Sequence, residues 1–394
     1  MSYSDFLGDA FNQNTGEFNF EKAEKNAFSN KDKFNVIIMG KTGVGKSALI
    51  NALFGAEVVK SGVGKPITQH LAKIEVPHKG VVLWDTKGIE AKDYQNIMKN
   101  LNNEISESFS QVKHINDVPH VAWICIDVQG ARVEPCDIEL IRIAKNFDIP
   151  LVIVFTKYYG KSNDRFINES VDEINKSIEL KGYVNNKYAR VNSVSMEIDE
   201  NYSIPTKGLD ELLDKTFQCL PEGMKSAKNA LRKAQMVRMK DRLDAMTDSA
   251  KKIVHVASIA AGTAGASPIP GSDAPIIAAV QSGMIYKINA EFELDSATAN
   301  TTAIVTGVLG VTAIAQIGRT VVSNILKLIP GAGSIVGGTI SATTAIAITE
   351  AVGHAYIQAL TYYYSTETGK VELPSEVEPI LSLFKTFFQE KNYR

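Results

Sequence analysis

Cysteine is nearly absent. The chain of 394 residues has three, Cys125, Cys136 and Cys219, none in a CxxC spacing. A disulfide framework is thereby excluded, and a reducing compartment is the expected setting. Six scattered histidines form no zinc-ligand pattern. Net charge is also missing: 42 Lys and Arg stand against 44 Asp and Glu, a balance of −2, from which no DNA binding is expected. The N-terminus carries Asp5 and Asp9 and no basic, apolar leader, so no signal peptide is expected. A local absence says more. Residues 254–366 hold eight charged side chains, namely Asp273, Lys287, Glu291, Glu293, Asp295, Arg319, Lys327 and Glu350, about 7% against 22% for the whole chain. The two halves are different materials, and the length predicts two or three domains.

The first half has what the second lacks. FNVIIMG (34–40) reads as an apolar strand ending in Gly, and KSALINALFG (46–55) as a helix. Strand, Gly-rich turn and helix open an α/β nucleotide fold. HLAKIEV (70–76) and GVVLWD (80–85) read as a hairpin. HVAWICIDV (120–128) and IPLVIVFTK (149–157) are continuous apolar runs, the mark of strands buried on both faces. Helices are predicted over 96–109, 136–147, 165–180 and 208–220, and a last strand over 188–195. The α/β domain is thus expected at 34–220, after a polar segment at 1–33 that is either helical or a loose tail.

GKTGVGKS at 40–47 fits G-x-x-x-x-G-K-[ST] in full. Backbone N–H groups at the start of the following helix can cradle a phosphate chain. The expected cofactor-binding residues here are Gly40, Lys41, Thr42, Gly43, Val44, Gly45, Lys46, Ser47 and Ala48. Lys46 would reach the β- and γ-phosphates, and Ser47 would coordinate Mg²⁺. DTKG at 85–88 ends a strand; Asp85 would hold Mg²⁺ and the Gly88 N–H would approach the γ-phosphate. Thr68 would complete the metal and γ-phosphate contacts from a loop that triphosphate orders. Lys46, Thr68 and Gly88 are the catalytic candidates, and Ser47, Thr68 and Asp85 the metal ligands.

GKTGVGKSALINALFG, PITQ, DTKG and FTK, in that order, resemble the successive motifs of the P-loop GTPases, particularly the Era-like branch of the TRAFAC type. Dynamin-like and immunity-related GTPases are a more distant likeness. The resemblance implies an α/β P-loop domain with a mostly parallel sheet, GTP or GDP with Mg²⁺ as cofactors, and GTP hydrolysis. It departs in the base-reading motif. The family carries Asn or Thr, Lys, any residue, then Asp; here the residues are Thr156, Lys157, Tyr158 and Tyr159. Thr156, Lys157 and Ser193 are the base-side candidates, and Tyr159 cannot copy the acceptance of two guanine hydrogen bonds by Asp. Ile89 stands where Ras-like enzymes carry a water-orienting Gln, so slow or partner-stimulated hydrolysis is expected. Gln69 and Gln95 flank the motif without a basis for choosing either.

Residues 221–253 read as one connector helix. Seven basic residues lie within 222–242 against two acidic ones, read either as a solvated face or as a contact for an anionic surface. An all-α domain follows at 254–394. ASPIPGSDAPIIAAVQSGMIYKIN (266–289) resembles a bacterial helical domain of unknown function found beside such GTPase domains. The uncharged runs 296–318 and 328–349 have transmembrane length, but their Ala, Thr, Ser and Gly suit tightly packed buried helices. A closing amphipathic helix is expected over 376–389. His255 and His354 are read as packing or surface residues.

The leading expectation is a guanine-nucleotide switch coupled to a helical effector, cytoplasmic or peripheral at an inner membrane. The alternatives are a membrane-associated GTPase, or a nucleotide-binding interaction module with relaxed base specificity and little hydrolysis. An unidentified protein or a second copy is the expected partner.

Overall fold

Residues 34–39 read FNVIIM, and all six are buried. Successive side chains of a strand point to opposite faces, so a strand without a polar face needs cover on both sides. The computed structural model describes residues 1–29, 31–55, 65–66, 71–76, 78–86, 94–110, 118–130, 132–199, 202–221, 224–264, 273–294, 300–317 and 342–390. Its chain divides into two compact units, Asp32–Met239 and a second formed by Met1–Lys31 with Lys240–Arg394.

The first unit is built on a sheet with seven described strands: β1 (Phe34–Met39), β2 (Lys65–Pro66), β3 (Leu71–Val76), β4 (Val81–Thr86), β5 (Val121–Asp127), β6 (Leu151–Thr156) and β7 (Tyr188–Arg190). Their order is β2-β3-β4-β1-β5-β6-β7. Strands β4, β1, β5, β6 and β7 are parallel, while β2 and β3 run antiparallel at one edge. The helices of the chain, in order, begin with α1 (Tyr3–Leu7), α2 (Phe20–Ser29), α3 (Lys46–Phe54), α4 (Tyr94–Ser110), α5 (Pro135–Asn146), α6 (Asp164–Asn175), α7 (Leu209–Cys219) and α8 (Lys225–Ala234). Phe34, Val36 and Ile38 pack with α3, α7 and α8. Ile37 and Met39 pack with α4, α5 and α6. One strand thus feeds two cores, and the α/β domain expected from the sequence is a three-layer sandwich.

Two expectations need correction. The strand expected over 188–195 ends at Arg190; a separate antiparallel hairpin follows, β8 (Met196–Asp199) with β9 (Tyr202–Ile204). The single connector helix is two, because the chain turns between α8 and α9 (Met239–Ala264). Gln235 makes the turn. Its side-chain oxygen accepts from the N–H groups of Val237 and Arg238, both at 2.7 Å, and its amide donates to the carbonyls of Arg232 and Arg238. These bonds satisfy backbone groups that a helix break leaves orphaned. The Met236 N–H donates to Leu53 O at 2.7 Å and ties the turn to α3.

The second unit takes its helices from both ends of the chain. With α1 and α2 it contains α9, α10 (Asp273–Glu291), α11 (Thr301–Ile317), α12 (Ala342–Tyr362) and α13 (Glu378–Glu390). The N-terminal segment is docked, not loose: Lys287 Nζ donates to Phe6 O at 2.8 Å, and Phe6 and Leu7 are buried in the helical core. Small residues let the helices close. A Cβ at Gly353 would stand 2.4 Å from a methyl of Val254. On the closing helix α13, Ile380, Phe384 and Phe388 are buried. Among the described residues no helix is long and apolar enough to cross a membrane. Most of the run 328–349, and the start of the segment 266–289, lie outside the described residues.

The basic stretch is also less free than its sequence suggests. Lys233 is buried 4.0 Å from Asp32, Arg238 pairs with Asp210 and Asp214, and Arg242 is wholly buried. Arg242 binds Glu293 at 2.8 Å and donates to Gly369 O at 3.0 Å. Removing one partner of a buried ion pair strands the other. Arg242→Met is therefore expected to cost about 3–5 kcal/mol, measured by denaturant unfolding against the parent chain.

Candidate nucleotide-binding site

The loop after β1 is shaped by glycine. Gly40, Gly43 and Gly45 have φ of 151°, 80° and 100°, a region that side-chain-bearing residues rarely adopt. At Gly40 there is also no room: an added Cβ would lie 2.7 Å from Cys125 O on β5. Gly45 occupies the N-cap position of α3 without a side chain to cap it, so the first N–H groups of that helix remain donors for an external anion. Lys46 folds back over the loop, with Nζ 2.8 Å from Gly40 O and 3.2 Å from Lys41 O. Val44 is buried, Ala48 is half-buried, and Thr42, Gly43 and Ser47 are partly or fully exposed.

Lys41 sends its charge elsewhere. Its ammonium lies 2.9 Å from Glu134 and 3.9 Å from Asp137, at the start of α5. Glu134 and Asp137 also form that helix's capping box, with Pro135 in its first turn. The sequence reading did not single out this pair, although acid-Pro-x-Asp before an apolar helix is a helix-start signal.

The β1–β4 register sets Ile38 opposite Asp85, and the Thr86 hydroxyl donates to Ile38 O at 3.2 Å. Asp85 is thus brought to the root of the Gly-rich loop. Its Oδ1 is buried and has no hydrogen-bond partner among the described residues. A buried acceptor of this kind is costly unless a donor or cation satisfies it. Burial pushes the Asp85 carboxyl above its ordinary 3.8, and the Lys46 charge offsets this only in part. A buried carboxylate oxygen with no partner among the described residues, at the root of a Gly-rich loop, is a donor suited to Mg²⁺.

Strand β6 carries the far side of the site. Thr156 is buried, and its hydroxyl donates to Val44 O at 2.6 Å, so the loop and the β6 end are held together. Lys157 has φ of 55°, and its ammonium lies 2.6 Å from Asp127 Oδ2 at the end of β5. Gln129 fastens this corner, donating its N–H to Asp127 and its side-chain amide to Lys157 O. The Tyr158 N–H donates to Val191 O at 3.1 Å, which brings the half-buried Ser193 segment alongside. Lys46, Asp85, Thr156 and Lys157 thus gather at the ends of β1, β4 and β6. Thr68, Gln69, Gly88 and Ile89 lie outside the described residues, as does the Gln95 side chain.

Residues 35–157 match the family model described as 50S ribosome-binding GTPase. That stretch is similar to the GTPase domains this model describes. A distinct α-helical region follows the GTPase domain. Among known proteins, the chain is similar to translation initiation factor IF-2 of Zymomonas mobilis, 28% identical over 184 residues, which cover 46% of this chain and 16% of that protein. The probable GTP-binding protein EngB of Mycoplasmoides gallisepticum is 26% identical over 185 residues, 46% of this chain and 86% of that protein. Human septin-9 is 27% identical over 158 residues, 34% of this chain and 27% of that protein. The chain thus spans only a minor part of the initiation factor and of septin-9. The crystal structure of a single-residue variant of Aquifex aeolicus Era bound to GDP·AlF4⁻ superposes with a TM-score of 0.31 at 21% identity, covering 58% of this chain and 67% of that one.

The Asp85 environment yields a prediction for the protein without metal or nucleotide. A carboxyl with a raised folded pKa favours folding at low pH and loses that contribution as pH rises through the folded value. Asp85→Asn is expected to raise the melting temperature at about pH 7 and to give no gain at about pH 3, where the carboxyl is neutral in both states. Melting curves at the two pH values check this.

Proposed function

We propose that the GTPase domain binds GTP and GDP with Mg²⁺, hydrolyses GTP slowly, and uses the nucleotide state to control the helical region. The observation that carries this reading is the buried oxygen of Asp85, at the root of the Gly-rich loop, that has no partner among the described residues. An ionised carboxylate there is stabilised by a cation that a triphosphate would bring with it. Lys46 would exchange its two carbonyl partners for phosphate oxygens. Ser47 and Asp85 would hold the metal, with Thr68 completing its contacts, and Gly88 would meet the γ-phosphate. The similarity to proteins described as GTP-binding supports guanine nucleotide as the ligand.

Slow turnover follows from Ile89, a side chain with no group to orient water. A partner or a second copy would supply the missing group. The pairing of Lys233, Arg238 and Arg242 inside their own units removes much of the charge that argued for an anionic membrane surface.

Lys46→Ala is expected to weaken GTP binding at least about a hundred-fold, the loss of a charge-assisted contact worth about 3 kcal/mol. Chelation of Mg²⁺ is expected to weaken GTP more than GDP. Equilibrium titration with fluorescent nucleotides checks both. Normal GTP affinity in the Lys46→Ala protein would overturn the assignment.

A further inference from the structure

Among the described residues, the carboxylates of Asp127 and Asp164 at the base-side corner of the site are both engaged. Within residues 156–164 the sole acidic residue is Asp164. Its Oδ1 accepts from the Tyr158 hydroxyl at 3.0 Å and lies 3.3 Å from Arg190 Nε. Asp127 is committed through both oxygens, one to the Lys157 ammonium and the other to the Gln129 N–H. Tyr159 is set in place by its own N–H, which donates to Asn163 Oδ1 at 3.1 Å. The residue is half-buried, and its hydroxyl makes no hydrogen bond among the described residues.

Guanine presents two adjacent donors, N1–H and the 2-amino group, where adenine presents N1 as an acceptor and no 2-amino group. Only an acceptor pair such as a carboxylate takes both donors at once. A phenol has one proton and rotates to donate or accept, so it pairs with either purine. The hydroxyl of Ser193 has the same freedom: it donates to a 6-oxo group or accepts from a 6-amino group. The methylenes of Lys157 offer apolar cover to any purine. A site built to pair with specific donors rejects the wrong ligand by about 10⁴–10⁵, whereas shape alone gives about 10–200-fold.

We infer that this site discriminates weakly between guanine and adenine nucleotides, with Tyr159 as the residue that sets the tolerance. The inference rests on the proposed nucleotide site and names its substrate class: purine nucleoside triphosphates with Mg²⁺. Affinity would come from the phosphate end, which both ligands share.

The test is equilibrium titration of the full chain with GTP and with ATP in Mg²⁺, repeated for Tyr159→Asp. The parent chain is expected to prefer GTP by less than about thirty-fold, and Tyr159→Asp to increase that preference at least about ten-fold by tightening GTP alone. A parent preference at or above that limit overturns the inference and leaves the nucleotide site standing. Failure of the parent chain to bind either triphosphate overturns the site itself. A folded Tyr159→Asp protein with an unchanged ratio overturns the role given to Tyr159. If that variant does not fold, the parent ratio decides alone.

Discussion

The loop between β1 and α3 closes against β5 only because residue 40 has no Cβ. The carbonyl of Cys125 stands where that carbon would be, and the φ of 151° suits few residues besides glycine. The other parts of the site depend on this approach. It seats the Gly-rich loop beside the β4 end that carries Asp85, and it leaves the start of α3 uncapped by any side chain. The Thr156 hydroxyl then holds the same loop at Val44 from the β6 side. Three strand ends are thereby fixed around one Gly-rich loop, each by main-chain geometry or a single buried bond. Rigid strands that present polar groups at their tips are what preorganised anion binding needs.

The helical unit follows a different logic. Its helices α10, α11 and α12 carry few charges, and their small residues let them pack closely. Ala, Gly, Ser and Thr bring helix axes together, and polar groups inside find partners. Tyr356 donates to Asn289 at 2.6 Å, and Ser258 donates to Glu350, which also lies beside His255 and His354. The two histidines therefore belong to a local polar cluster between α9 and α12, and no metal-ligand group occurs among the described residues. That the unit takes residues 1–31 as well as 240–390 makes the GTPase domain an insertion between two parts of one helical body.

Local pattern was a good guide wherever it repeats or is chemically demanding. FNVIIM, VAWICID and LVIVFT are apolar almost throughout, and each is a strand buried along its length. The amphipathic helix expected over 376–389 is α13, with Ile380, Phe384 and Phe388 buried. The pattern failed where one side chain outweighs propensity. Residues 224–252 contain neither Gly nor Pro, the usual breakers; the break comes with the hydrogen bonds of a single glutamine. The short β8–β9 hairpin was missed because its strands are of four and three residues, with Asp and Glu in the first.

The Gly-rich loop, its strand and helix, the order of the motifs and the replacement of Asp by Tyr at 159 are all legible in the chain as written. These are local features, and a phosphate cradle needs particular residues at particular spacings. Which charges are free to act was settled in three dimensions alone. Arg242 and Lys233 read as part of an exposed basic stretch but are buried and paired. Lys41 reads as a phosphate ligand but spends its charge on Glu134, and Asp127 and Asp164 are held by neighbours distant in the chain. Ion pairing depends on distances of a few ångströms between residues far apart in sequence, which no local pattern contains.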